Sequence, residues 1–136
     1  MKISILNRIN IECNKCGFCC KDTEMEISRN ELIKIEKLGF SGEKFTEIKN
    51  GFLKLKNING FCYFYEKKTK KCIIYENRPL GCRFYPVILF DNECIIDKDC
   101  SCYEKNKNLK IPKRICDELK KYIEILDKEI KARIKE

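Results

Sequence analysis

The chain has 136 residues, of which 43% are hydrophobic and 37% charged, and its formal net charge is +8. This length suits one domain or one core with an appended helix, and the interspersed charges exclude a disordered chain. Histidine is absent, which excludes His-containing zinc sites and catalysis by Ser–His–Asp or Cys–His groups.

Cysteine is far more frequent than packing alone requires, with 11 residues in the chain. Such a number is typical of a disulfide framework or of a metal site. The N-terminal residues lack an apolar stretch of signal-peptide length, and no run approaches a membrane span. We therefore expect a cytoplasmic protein without membrane contact, in which disulfides do not persist and thiolates bind metal.

The first half of the chain predicts short elements around a cysteine loop. Partial alternation over residues 2–11 predicts a strand, and residues 13–20 form a tight loop. Ser28 and Glu31 fit a capping box, which predicts a helix that ends near Gly39, and a second short helix follows Ser41. Residues 52–55 predict a strand and residues 57–60 a turn.

The second half predicts two hairpins and a long helix. Residues 62–65 and 72–75 flank a charged stretch and predict a hairpin or a pair of short extended segments, and residues 87–90 and 94–96 flank Asp91-Asn92. Pro112 suits the first turn of a last helix, whose apolar stripe predicts either docking on the domain or a homodimer. The predicted fold is α+β, small, irregular and metal-stapled. Residues 1–106 form the cysteine-cluster domain and residues 107–136 the C-terminal helix.

The densest chemical signal is a CxxCxxCC motif formed by Cys13, Cys16, Cys19 and Cys20. Two-residue gaps let thiolates turn toward one ion, as in zinc knuckles and ferredoxin loops. Neighbouring side chains diverge, so Cys19 and Cys20 either serve two centres or include a spare thiol. Further ligands must then come from distant cysteines, and the candidates are Cys62, Cys72, Cys82 and Cys100.

A second informative stretch covers residues 72–86. Arg78 and Arg83 bracket Cys82, where guanidinium groups would offset the charge of a thiolate-bound cofactor, although surface salt bridges are an equal alternative. Pro79 predicts a helical turn that carries Cys82.

The remaining cysteines have simpler interpretations. Cys116 lies in the last helix, where we expect a small buried hydrophobic residue. Cys94 alternates in a strand and suits a ligand or the core equally, and the assignment of Cys102 is open.

These two stretches together resemble the YkgJ-like CxxCxxCC family of zinc- or iron-chelating domains. The similarity spans residues 11–102 and includes the Cys72–Pro86 block and the Gly60-Phe61-Cys62 step. The resemblance implies that the motif cysteines chelate a metal together with Cys62, Cys72 and Cys82. It does not decide whether that metal is zinc or iron.

We therefore expect one or two all-cysteine centres, either an iron–sulfur cluster of the 4Fe–4S type or zinc, in electron transfer or metal handling with a redox or protein partner. The alternatives are a cluster-dependent redox or protein-modifying enzyme, a metal carrier, and a zinc-stabilised nucleic-acid binder. The lysine excess is weak support for the last, because each four-thiolate centre adds about −2 charge that lysines offset.

Overall fold

The computed structural model describes residues 20–135. The strand predicted over residues 2–11 and the candidate ligands Cys13, Cys16 and Cys19 lie outside the described residues. The rest combines helices with short antiparallel strands, which confirms the α+β prediction. The helices are α1 (Arg29–Glu36), α2 (Gly42–Phe45), α3 (Leu80–Phe84), α4 (Tyr103–Asn106) and α5 (Lys113–Ile134).

Within residues 20–135, eight short strands form four separate two-stranded antiparallel hairpins. They are β1 (Thr46–Lys49) with β2 (Phe52–Leu55), β3 (Asn57–Ile58) with β4 (Phe61–Cys62), β5 (Tyr65–Glu66) with β6 (Lys71–Cys72), and β7 (Val87–Phe90) with β8 (Glu93–Ile96). The predicted strand at residues 52–55 and the predicted hairpin of residues 87–90 and 94–96 are confirmed. Of residues 62–65 and 72–75, only Tyr65 and Cys72 pair with each other, and Cys62 pairs in the preceding hairpin instead. The sequence prediction missed β1, β3 and α4.

The helix starts follow their capping residues. Ser28 Oγ accepts a hydrogen bond from the Glu31 N–H at 3.2 Å, and Glu31 Oε1 accepts one from the Ser28 N–H at 3.0 Å, so the predicted capping box is present. Ser41 precedes α2, and Pro112 precedes α5, as the sequence indicated. No helix within residues 20–135 is both long and apolar enough to cross a bilayer.

Two hydrophobic clusters organise the chain. The helix cluster joins α3, the β7–β8 hairpin and one face of α5; its buried members are Phe84, Val87, Ile96, Ile115, Leu119, Tyr122 and Leu126. The hairpin cluster lies among α1, α2 and the first three hairpins; its buried members are Ile27, Ile35, Phe45, Leu53, Leu55, Cys62, Phe64 and Ile74. The apolar stripe of α5 therefore packs within the chain. A separate unit beginning at residue 107 and a dimer through α5 stay predictions.

A disulfide joins Cys94 in β8 to Cys116 in α5. The expectations that Cys116 is only a buried hydrophobic residue and that disulfides are absent were wrong. Of the two alternatives for Cys94, the structure favours the core, because Cys94 packs against the helix cluster and its sulfur is bonded to Cys116. Packing of the β7–β8 hairpin against α5 brings the two Cα atoms to 5.8 Å, within the range that a disulfide requires. The local spacing of cysteines in the sequence could not predict this pair, because its two members are 22 residues apart.

Candidate metal centre

Four cysteines from four different parts of the chain line one cavity of about 320 Å³. Cys20 begins the described chain, Cys62 ends β4, Cys72 ends β6, and Cys82 lies in α3. Cys62 is buried, with 6% of its surface exposed, and the other three are half-buried. The structure thus brings together four of the eight cysteines that the sequence predicted as ligands.

Hydrogen bonds attach the segment that follows Cys20 to the β3–β4 hairpin. The N–H of Asp22 donates to the Gly60 carbonyl at 2.7 Å, and the Thr23 N–H donates to Asn57 Oδ1 at 3.1 Å. Asn57 returns a hydrogen bond from Nδ2 to the Thr23 carbonyl at 2.9 Å, and it pairs with Cys62 across the β3–β4 hairpin. The segment after Cys20 is therefore fixed against the hairpin that carries Cys62.

Cys72 is placed by the next hairpin, where it pairs directly with Tyr65. Below the hairpin, the Ile73 N–H donates to the Phe64 carbonyl at 2.8 Å. Phe64 is 1% exposed and, with Leu55 and Ile74, forms the apolar part of the cavity wall. An apolar wall limits the access of water to the thiols.

The polar lining of the cavity is mainly cationic. Among the described residues, Lys70, Lys71 and Arg78 line it, against the one carboxylate of Glu76. Cations beside a thiol favour its thiolate form, which is the form that binds metal. The sequence analysis anticipated Arg78 but missed the two lysines, although Lys71 directly precedes Cys72.

The two predicted arginines have different positions. Arg78 is buried; its Nε donates to the Tyr75 carbonyl at 2.9 Å, and its guanidinium lies 3.8 Å from the Tyr75 ring centroid. Arg78 Nη1 also donates to the Cys82 carbonyl at 3.4 Å. Arg83 Nε donates to the Arg78 carbonyl at 2.7 Å, and its side chain lines a neighbouring cavity instead. A role for either arginine toward a cofactor stays a prediction.

The start of α3, which carries Cys82, is held by a buried carboxylate. Glu31 Oε2 accepts a hydrogen bond from the Leu80 N–H at 2.5 Å, and Oε1 accepts one from the Tyr122 hydroxyl at 2.6 Å. Burial and then the Glu31 carboxylate, with a smaller effect of Cys82, raise the pKa of Tyr122 well above its usual range. Tyr122 thus remains a proton donor, and Glu31 links α1, α3 and α5.

Cys100 and Cys102 lie outside the lining of the cysteine cavity. They occupy the turn between β8 and α4, where the Cys102 N–H donates to Cys100 Sγ at 3.4 Å. Cys102 is 3% exposed, and the buried Asn106 donates to its carbonyl at 3.0 Å. The prediction of Cys100 as a ligand of the same or a second centre stays a prediction.

Within residues 20–135, no group of three or more His, Cys, Asp or Glu side chains could by itself hold a metal ion. The four described cysteines therefore line one cavity, but no three of them lie close enough together to hold an ion. The remaining predicted ligands, Cys13, Cys16 and Cys19, precede Cys20 in the sequence. The complete ligand set stays a prediction.

A sequence model of the family described as "CxxCxxCC: Putative zinc- or iron-chelating domain" matches residues 12–129. The chain belongs to this family. The resemblance inferred from the two cysteine stretches is thereby confirmed, and the match also includes most of α5.

A curated relative, "Uncharacterized protein MJ0661" of Methanocaldococcus jannaschii, is similar to this chelating domain. It is 41% identical over 87 residues, which cover 60% of this chain and 47% of the relative. The chain thus spans about half the length of that protein. No solved structure matches the chain.

Proposed function

We propose that this domain holds an iron–sulfur cluster of the 4Fe–4S type at the cysteine cavity and serves in electron transfer. The observation that carries the proposal is the common cavity of Cys20, Cys62, Cys72 and Cys82, which come from positions up to 62 residues apart. Thiolates are soft ligands that select zinc, copper(I) and iron–sulfur clusters over harder ions.

The residue types that line the cavity, rather than their spacing, support the proposal. Four cysteine thiols, an apolar wall and three cationic side chains suit a centre that carries net negative charge. The cavity volume of about 320 Å³ is several times the roughly 30 Å³ of one water molecule. The cavity is therefore large enough for a cluster of several atoms.

The motif cysteines before Cys20 are proposed as additional ligands because they are close to Cys20 along the chain. Cys19 adjoins Cys20, and Cys16 is four residues away, a span of at most about 14 Å at 3.3–3.6 Å per residue. Motif thiolates can therefore reach the cavity that Cys20 lines. Cys100 is the candidate for a second centre.

When bound, a 4Fe–4S cluster supplies one-electron transfer. The residues of this chain would hold it through their thiolates, exclude water with Leu55 and Phe64, and offset its negative charge with Lys70 and Lys71. Arg78 and Glu31 would keep the segment around Cys82 in place.

The test is analysis of iron, zinc and acid-labile sulfide in anaerobically purified protein, together with electron paramagnetic resonance after reduction. We expect iron and sulfide in equal amounts and a signal of a reduced cluster. Cys82→Ser should lose most of the iron, whereas the control pair Cys94→Ser with Cys116→Ser should retain it. A colourless protein with stoichiometric zinc and no iron would exclude the cluster.

A further inference from the structure

We propose that the tip of the β5–β6 hairpin, formed by Lys67, Lys68, Lys70 and Lys71, is the docking surface for an acidic protein that exchanges electrons with the centre. This basic tip is a surface of the proposed electron-transfer site and so depends on the proposed function. One electron passes between the cluster and the one-electron carrier of that partner, and no bond or proton is transferred.

Half of the basic tip, Lys70 and Lys71, belongs to the rim of the cysteine cavity. Lys70 and Lys71 line the cavity itself, and Lys71 directly precedes the cavity residue Cys72. A partner that contacts these lysines therefore lies beside the thiols. Such closeness is what electron exchange between two proteins requires.

The charge of the basic tip is available to a partner. All four lysines are exposed, and none forms an ion pair with another residue in the part of the chain that the structure describes. Between Cys62 and Cys72 the only carboxylate is Glu66. A concentrated positive surface steers acidic partners and raises their association rate by about 10- to 1,000-fold at low salt.

The base of the hairpin is ordered by aromatic contacts. The rings of Phe61 and Tyr65 stack with centroids 4.6 Å apart and 14° between their planes. Lys67 Nζ lies 5.6 Å from the Phe61 ring centroid. A surface ordered before binding loses less conformational entropy when a partner docks.

The same contacts favour an acidic protein over single-stranded nucleic acid. Proteins that bind single strands stack the bases on available aromatic faces. Here the Phe61 and Tyr65 rings stack on each other, and Lys67 approaches the Phe61 ring. The basic tip therefore offers charge rather than a platform for bases.

The first experiment measures oxidation of the reduced protein by anionic ferricyanide and by cationic tris(phenanthroline)cobalt(III) at low and high salt. The tip variant carries glutamine at Lys67, Lys68, Lys70 and Lys71. The control variant changes four exposed lysines of α5 to glutamine, so both variants lose the same charge; its positions are Lys113, Lys121, Lys128 and Lys131.

We expect the ratio of the anionic to the cationic rate to fall roughly tenfold in the tip variant at low salt, and much less in the control. High salt should remove the difference, because charges are screened within about 10 Å at 0.1 M. An equal change of the ratio in both variants would overturn the docking surface.

The second experiment measures binding of a labelled polyglutamate peptide and of an oligothymidylate with the same number of charges. Polyglutamate should lose affinity in the tip variant and keep it in the control. Tighter binding of oligothymidylate through the same lysines would overturn the protein partner in favour of nucleic acid. If the purified protein holds only zinc, the electron-transfer proposal fails, and this experiment alone judges whether the tip binds acidic chains.

Discussion

Replacing Glu31 by glutamine tests the buried carboxylate that holds the start of α3. Glu31 is 9% exposed and accepts hydrogen bonds from the Ser28 N–H, the Tyr122 hydroxyl and the Leu80 N–H. The carbonyl of glutamine can keep the first two of these bonds. Its amide group then faces the Leu80 N–H, so that two donors oppose each other.

The expected loss of stability follows from these three bonds. The unsatisfied Leu80 N–H costs about 1–3 kcal/mol, and the two remaining bonds weaken because their acceptor is no longer charged. We expect the free energy of unfolding to fall by about 2–4 kcal/mol. Tyr122→Phe alone should cost about 1.5–3 kcal/mol, and the double variant should cost less than the sum because the two residues share one bond.

The assay is urea unfolding followed by circular dichroism, with Glu129→Gln as the matched control. Glu129 Oε1 accepts from the exposed Arg29 N–H at 2.8 Å and lies 3.3 Å from Arg133 Nη2, so its loss should cost less than about 1 kcal/mol. Metal should also leave Glu31→Gln faster than the wild type when a chelator is added. The reasoning is refuted if Glu31→Gln is no less stable than the control, or if Glu31→Gln and Tyr122→Phe are additive.

Three further predictions concern stability. Serine at both Cys94 and Cys116 should lower the free energy of unfolding by about 3 kcal/mol, because a closed loop of 22 residues is released; an unchanged denaturation midpoint would contradict the disulfide. Gly51→Ala should lower the melting temperature more than Gly39→Ala. Both glycines have positive φ, but an added Cβ at Gly51 would lie 2.9 Å from a side chain of α5, whereas an added Cβ at Gly39 would have no atom within 4 Å. Equal melting temperatures of the two variants would contradict this packing. Burial, and to a smaller extent the negative charge of Asp127, raises the pKa of Glu26 above its usual 4.5. The folded state therefore disfavours the charged form of Glu26. The free energy of unfolding should fall as the pH rises through the raised pKa. Glu26→Gln should therefore be more stable than the wild type at pH 7, with the gain disappearing below pH 4.5 in a pH series of unfolding experiments; a gain that persists in acid would contradict it.

Local signals in the sequence were sufficient where one short stretch determines the structure. The Ser28 and Glu31 pair predicted the start of α1, and Asp91-Asn92 predicted the last hairpin, in which both residues have positive φ. Asn50-Gly51 carries the same kind of signal, with φ of 54° and 85°, and could have predicted β1 by its match to a two-residue hairpin turn.

Contacts between distant residues could not be predicted in this way. Glu31 was identified as a capping residue, but its bond to Tyr122 joins positions 91 residues apart. The pairing of Cys94 with Cys116 likewise depends on how a hairpin docks on a helix. The sequence analysis grouped Cys62, Cys72 and Cys82 as candidate ligands, and the structure places all three in the lining of one cavity. Only the packed hairpins show that Lys70 and Lys71 lie on the rim of that cavity.

The cysteine cavity draws its walls from residues between Cys20 and Cys82. During synthesis, a ribosome-bound chain therefore exposes its first thiols long before the last wall of the cavity can form. Until residue 82 has emerged and α3 has docked, the nascent chain has no enclosed compartment for an ion. We therefore expect Cys82 to join the other cavity cysteines only after α3 has formed and packed against the earlier hairpins.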